Sequence, residues 1–235
     1  MPNVRLLDYD KATPFVSYSF GNISAGAIVS PRLVFADSYA SGTASGAEFG
    51  VSSVAGNDGY TFAQVASGST FNASGSAVTG TVLSTGGGIG SGTSLRYKLS
   101  VKDPYGWESY HDTVTYTPSL SGTTTNLVSL SWSAVSGTSQ YGVYLSVDSG
   151  TTFKLVGFTT NAYYTDTSGT ATATTPPASG SVGYRPGTWG TTAVAIGDMA
   201  SGTQLPMFFK EVVPSGTGSA GNPRQHYIYV SYLTT

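Results

Sequence analysis

The chain has no cysteine among its 235 residues. That excludes a disulfide framework, a thiolate metal site and a cysteine nucleophile. Charge is scarce too: Asp, Glu, Lys and Arg are 9% of the residues, against roughly 25% in an average globular domain. The ten basic residues form no run and the formal net charge is −2, so little attracts a phosphate backbone and no nucleic-acid partner is expected. No apolar run approaches the length of a membrane-crossing helix, and the opening MPNVRLLDYDKATPF has no apolar signal core. Neither a membrane partner nor a signal peptide is expected. Helical periodicity is missing as well: no apolar i, i+3, i+4, i+7 stripe runs free of Gly and Thr.

What is present is Gly, Ser, Thr and aromatic side chains, including 16 tyrosines. The aromatics recur with Val and Leu and supply the apolar burial that a disordered chain lacks. Short alternating runs are frequent. SLRYKLSVK puts Leu95, Tyr97, Leu99 and Val101 on one face and Arg96, Lys98, Ser100 and Lys102 on the other, the period of a half-buried strand. Its expected partner is WESYHDTVTYT, joined through DPYG. There Asp103 accepts a backbone hydrogen bond, Pro104 presets φ and Gly106 takes the positive φ that closes the turn. LVSLSWSAV, QYGVYLSV, FKLVGFTT and AYYTDT follow at the spacing of sandwich strands. Trp132, Tyr144 and the tyrosines near 163 are expected between the two sheets.

Two distant stretches echo each other, FGNISAGAIVSP (20–31) and IGDMASGTQLPM (196–207). Only Asn22 and Asp198 offer polar chemistry at a shared position, so the echo reads as two strand–turn–strand corners, with Gly26 and Gly202 at the turns. Gly/Ser-rich and Pro/Gly-rich punctuation divides the chain into an N-terminal β domain (1–79), a middle sandwich (80–176) and a C-terminal β segment (177–235). About 59 residues make a marginal core alone, which favours the two outer pieces packing together around an inserted middle module.

VSLSWSAVSGTSQYGVYLSVDSGTTFKLVG resembles the tryptophan-bearing second and tyrosine-bearing third strands of fibronectin type III modules, and RYKLSVKDPYGWES resembles their last hairpin. Here the hairpin precedes the tryptophan strand. The order fits either one permuted module or two incomplete ones, and a single closed core favours the permuted module. The resemblance implies an all-β fold of Ig/fibronectin III-like sandwiches. The combination with IGDMASGTQLPMFFKEVVPSGTGSAG is similar to multi-module β proteins of tailed-bacteriophage particles. That similarity implies a non-enzymatic virion structural protein of the tail or baseplate, or alternatively of the head as a decoration or fibre protein. It would be assembled in the host cytoplasm and contact other virion proteins in multiple copies.

Candidate chemistry is sparse. WESYHD gathers Glu108, His111 and Asp112, but on a strand His111 points away from the two acids. His226 reads as a strand-end or contact residue. GGGIGSGTS lacks the Lys-Ser/Thr of a phosphate loop and is expected to be a flexible loop. Asp58, Asp148 and Asp166 sit in turn contexts outside any EF-hand pattern, so backbone capping outweighs weak calcium binding. The sequons at Asn22 and Asn72 read as chance matches in a Ser/Thr-rich chain. No cofactor, metal or catalytic residue is expected. Trp107, Trp189, Tyr227 and Tyr229 are the candidate interface or recognition residues, because such rings pack and still reach a partner. A host-surface glycan is the alternative partner, and an accessory domain of a cell-wall hydrolase is a third reading that needs carboxylates the sequence does not bring together.

Overall fold

In the computed structural model the described residues are 4–20, 26–27, 29–39, 41–53, 62–73, 77–92, 94–110, 116–213 and 226–234. Among them the protein is all-β, with no helix. The strands are β1 (Val4–Leu7), β2 (Arg32–Ser38), β3 (Ala44–Ser53), β4 (Phe62–Phe71), β5 (Thr79–Leu83), β6 (Arg96–Lys102), β7 (Glu108–Tyr110), β8 (Leu127–Ser131), β9 (Gln140–Ser146), β10 (Lys154–Thr159), β11 (Tyr163–Asp166), β12 (Gly183–Gly190), β13 (Ala193–Met199), β14 (Gln204–Val212) and β15 (His226–Thr234). They belong to two compact units, Met1–Ser69 with Pro186–Thr235, and Thr70–Arg185. The divisions fall inside β4 and β12, the second of them within the Pro/Gly-rich stretch 170–190, against expected breaks at 79/80 and 176/177.

In the unit built from both chain ends, one sheet runs β1-β2-β14-β4-β12 and the other β13-β3-β15. β14 lies antiparallel between β2 and β4, and β3 lies between β13 and β15. Neither sheet can therefore form from one end of the chain alone. Val34, Ala36, Val65, Met207 and Phe209 from the first sheet meet Ala44, Ala47, Phe49 and Met199 from the second in one buried core. β2 is buried along nearly its whole length: Leu33 and Phe35 point away from that core yet are inaccessible to solvent. Lys11, from the turn after β1, places its ammonium 4.8 Å from the Phe35 ring centroid.

The second copy of the sequence echo is a corner between β13 and β14. Gly202 has φ 79°, and its N–H donates to the Ser38 carbonyl at 2.6 Å. In the first copy residues 21–25 lie outside the described residues, but Gly26 has φ 77° and donates to Val213 O at 2.9 Å. Both glycines adopt the left-handed conformation that a Cβ disfavours.

In the unit 70–185, a four-stranded sheet, β10-β9-β6-β7, faces a three-stranded one, β11-β8-β5. Leu95, Tyr97, Leu99 and Val101 meet Tyr141, Val143 and Leu145 of β9 and Val128 and Leu130 of β8 in a single core. This is the face that the alternation of SLRYKLSVK predicts. The turn mechanism holds in detail: Asp103 Oδ1 accepts the N–H groups of Tyr105 (2.8 Å) and Trp107 (2.9 Å), and Gly106 has φ 100°.

Trp132 lies in this core, edge-on to Tyr141 at 5.3 Å. Tyr144 does not. Alternation along β9 sends Tyr141, Val143 and Leu145 inward, so Tyr144 emerges on the opposite face and is buried there by Phe153 and Leu155. Of the tyrosines near 163, Tyr164 packs on the core and Tyr163 is exposed.

Candidate functional site

Glu108, the carboxylate singled out in WESYHD, begins β7 directly opposite Lys102. One of its oxygens, Oε1, accepts a hydrogen bond from Ser100 Oγ and another from Tyr144 Oη at 2.8 Å. Both donors are buried, and burial together with the Glu108 contact pushes the Tyr144 phenol up. Beside them, Lys98 Nζ lies 4.8 Å from the Tyr110 ring and 4.7 Å from Phe153. The arrangement ties β6, β7 and β9 together across one sheet face through charge-assisted hydrogen bonds and cation–ring contacts. His111 and Asp112 lie outside the described residues.

The turn aspartates act as backbone caps. Asp148 accepts from Ser146 Oγ at 2.6 Å, Thr152 Oγ1 at 2.6 Å and the N–H groups of Thr151 and Thr152. These hydrogen bonds, led by Ser146, hold its carboxyl well below the usual range. Asp166 is buried and accepts from Tyr97 Oη at 2.7 Å, which links the two sheets, and from the Ser168 and Gly169 N–H groups. A cavity of about 280 Å³ beside it is lined by Val156, Tyr164, Ser168, Thr170 and Thr172. Asp58 lies outside the described residues. Among the described residues no three His, Asp or Glu side chains are placed to hold a metal ion.

GGGIGSGTS is pinned. Gly87 N–H donates to Thr125 O at 3.0 Å, Gly88 N–H to Thr167 O at 2.6 Å, and Ile89 pairs with Asn126. The loop expected to be flexible is thus held along residues 87–89, whose amides are used, and the fully buried Asn126 bonds back to Ile89 O at 3.0 Å.

The four aromatic candidates divide. Trp107 is half-buried and meets Tyr184 edge-on at 5.5 Å. Asp103 supports this contact, since its second oxygen accepts the Tyr184 N–H at 2.8 Å. Trp189 is half-buried with Lys210 Nζ 4.1 Å from its ring. Both indoles are engaged within their own units.

Tyr227 and Tyr229 are different. They lie on one face of β15, at the edge of the sheet β13-β3-β15, and are 63% and 39% exposed. Leu233, which drew no attention in the sequence, joins their row at 72% exposure. The alternate residues Ile228, Val230 and Tyr232 pack on the core.

Gly50 explains the partial cover of Tyr229. The two residues are directly paired, and a Cβ at Gly50 would stand 2.5 Å from Tyr229 Cζ. The missing side chain lets the ring lie across β3. His226 begins β15, paired with Ser53.

No family model, curated protein or solved structure matches the chain. The row Tyr227, Tyr229 and Leu233 sets three exposed, uncharged side chains on one face of a single strand.

Proposed function

We propose that the chain is a non-enzymatic structural component of a tailed-phage particle, a tail or baseplate protein that works by packing β modules against neighbouring proteins. The observation that carries the reading is the row on β15, where Tyr227 and Leu233 are 63% and 72% exposed on a sheet-edge strand. Exposed aromatic and aliphatic groups without charge favour burial against protein, where Tyr is enriched and Lys, Glu and Asp are depleted.

The strand orders support the same reading by analogy of fold. In the unit 70–185 the hairpin β6–β7 precedes the tryptophan-bearing region that starts at β8, with four strands facing three. That order suits a permuted fibronectin III-like module. In the other unit β1-β2-β14-β4-β12 is one sheet and β13-β3-β15 is the second. This resembles a jelly roll with the middle module inserted between two of its strands, and jelly rolls occur in viral capsid and lectin domains.

The test is protein composition of purified tailed particles from a lysate in which this chain is encoded. The proposal requires several copies per particle. Its absence from particles, with all of the chain in the soluble fraction, contradicts it. A head-fibre or decoration role is the alternative within this class, distinguished by whether the chain sediments with isolated heads or isolated tails. Two tyrosines on one strand face also suit stacking against a sugar ring. Glycan-array binding that disappears in Tyr227→Ala/Tyr229→Ala would move the proposal to that reading.

A further inference from the structure

Sheet edges expose unpaired N–H and C=O groups, and proteins that stay apart blunt them with charge, proline, bulges, shortness or a covering segment. Most edges here carry such a device. β1 is covered through Leu7–Pro14 pairing and by Phe15 N–H donating to Leu6 O at 2.9 Å. β12 contains Pro186, and β13 carries Asp198 and two breaks in its register with β3. β10 is flanked by the segment 172–174, where Leu155 N–H reaches Thr174 O at 2.9 Å and Thr172 N–H reaches Leu155 O at 2.8 Å. β5, β7 and β11 have only five, three and four residues.

Among the described residues β15 carries none of these devices. It runs nine residues, HYIYVSYLT, with no Lys, Arg, Asp, Glu, Pro or Gly. Among the described residues its only sheet neighbour is β3. The extra residue at the one irregularity in that pairing belongs to β3, because Ser231 and Leu233 pair with Glu48 and Ser45. Gly46, in that gap, has φ 58°. β15 therefore remains a regular edge of roughly 30 Å.

From this contrast we infer that β15 pairs with β15 of a second copy of the chain, antiparallel about a two-fold axis at Val230. The two three-stranded sheets become one of six strands. A second copy is the occupant because an uncharged strand meets its own image without like-charge repulsion and offers a charged partner no complementary group.

The register follows from self-matching. Centring on Val230 engages all nine residues. It sets Tyr227 opposite Leu233 of the partner subunit, so the two most exposed apolar side chains of the strand cover each other at both ends. Tyr229 then faces Ser231 of the partner subunit, and Ile228 faces Tyr232 of the partner subunit. Centring on Tyr229 leaves Leu233 beyond the partner strand's first residue. Aromatic–aliphatic cross-strand pairs are a favourable unit of sheet pairing. The inference names a partner for the β15 row used in the particle proposal, yet does not depend on the particle.

The experiment is sedimentation velocity of the full chain across the micromolar range. The wild type sediments as a dimer. Tyr227→Lys/Leu233→Lys sets lysine against lysine and raises the dissociation constant about tenfold or more, whereas Tyr227→Lys/Leu233→Glu sets opposite charges together at both ends and restores the dimer. Both positions are exposed, so unchanged circular dichroism and melting confirm folding of each variant. Hydrogen exchange at β15 amides that slows with protein concentration is the second readout. A monomeric wild type, a lysine pair that leaves the dimer intact, or exchange independent of concentration overturns the inference. A monomer that still enters particles overturns the dimer alone, and a dimer absent from particles overturns only the particle reading.

Discussion

Asp103 shows how one side chain organises a region. Its carboxylate takes the N–H groups of Tyr105 and Trp107 on one oxygen and that of Tyr184 on the other. Desolvation pushes its pKa up, while these hydrogen bonds oppose the shift. Asp103→Ala leaves three donors without their acceptor, and a loss of about 3 kcal/mol is expected from urea unfolding. Asp103→Asn costs less, because its amide oxygen still accepts two of the N–H groups. Equal losses in the two variants would show that the hydrogen bonds are not the source of the stability. The turn chemistry of DPYG was legible in the sequence because every acceptor and φ requirement there is local. The Tyr184 contact was not, since 81 residues separate it from Asp103.

Two glycines at the same scale make a contrasting pair. A Cβ at Gly68 would meet Pro206 O at 2.8 Å and Phe208 Cε2 at 2.7 Å, whereas at Gly50 it meets only the end of the Tyr229 ring. Backbone and a fully buried Phe208 cannot yield as an exposed tyrosine can. Gly68→Ala should lower stability by about 2 kcal/mol or more. Gly50→Ala should cost under about 1 kcal/mol and turn the Tyr229 ring into solvent. Calorimetry measures the first difference and ring-proton shifts the second. Similar losses for both would contradict the account of how Tyr229 is seated.

Among elements, those with clean alternation were readable from sequence and those needing a partner were not. β6 declares its inner face through Leu95, Tyr97, Leu99 and Val101, and the structure buries all four. β9 is ambiguous because QYGVYLS has apolar groups on both faces, and all but its first residue are buried. Its registers with β6 and β10, with Tyr144 opposite Lys98 and Leu155, decide that Tyr144 faces outward. For β15 the rings at Tyr227 and Tyr229 were visible as candidates. Their meaning depends on β3 occupying one edge and on Gly50 lying beneath Tyr229, facts of pairing between residues about 180 positions apart. The charge-swap pair at 227 and 233 belongs to this scale, since it tests a strand register rather than a single contact.

Across the whole molecule, phenols set a pH limit. In the unit 70–185, burial pushes Tyr105 up to about 12 and raises Tyr97, Tyr116, Tyr144 and Tyr164. A phenol whose folded pKa exceeds its unfolded value keeps its proton in the native state after the unfolded chain has released it. Its contribution is therefore complete below about pH 10 and lost as pH rises toward and beyond the folded value. Stability should fall steadily from about pH 10 to 12. Absorbance at 295 nm should then show a late group of phenols ionising together with loss of the native circular dichroism. Full ionisation with the fold intact would contradict the assigned burial.

The chain's ends supply five-stranded and three-stranded sheets that neither end could complete alone. The sequence pointed to this through the small size of the C-terminal piece, about 59 residues and marginal as a core alone, but the strand order required the long-range registers of β14 and β15. Along β15 the molecule sets two exposed tyrosines and an exposed leucine in one row, the basis for reading it as a part of a larger assembly. Cryo-electron microscopy of the intact particle tests that claim most directly. The account predicts density for two sandwich modules repeated at symmetry-related positions, with Tyr227, Tyr229 and Leu233 buried against protein. Density that lacks the chain, or that contains it with β15 facing solvent in every copy, would contradict it.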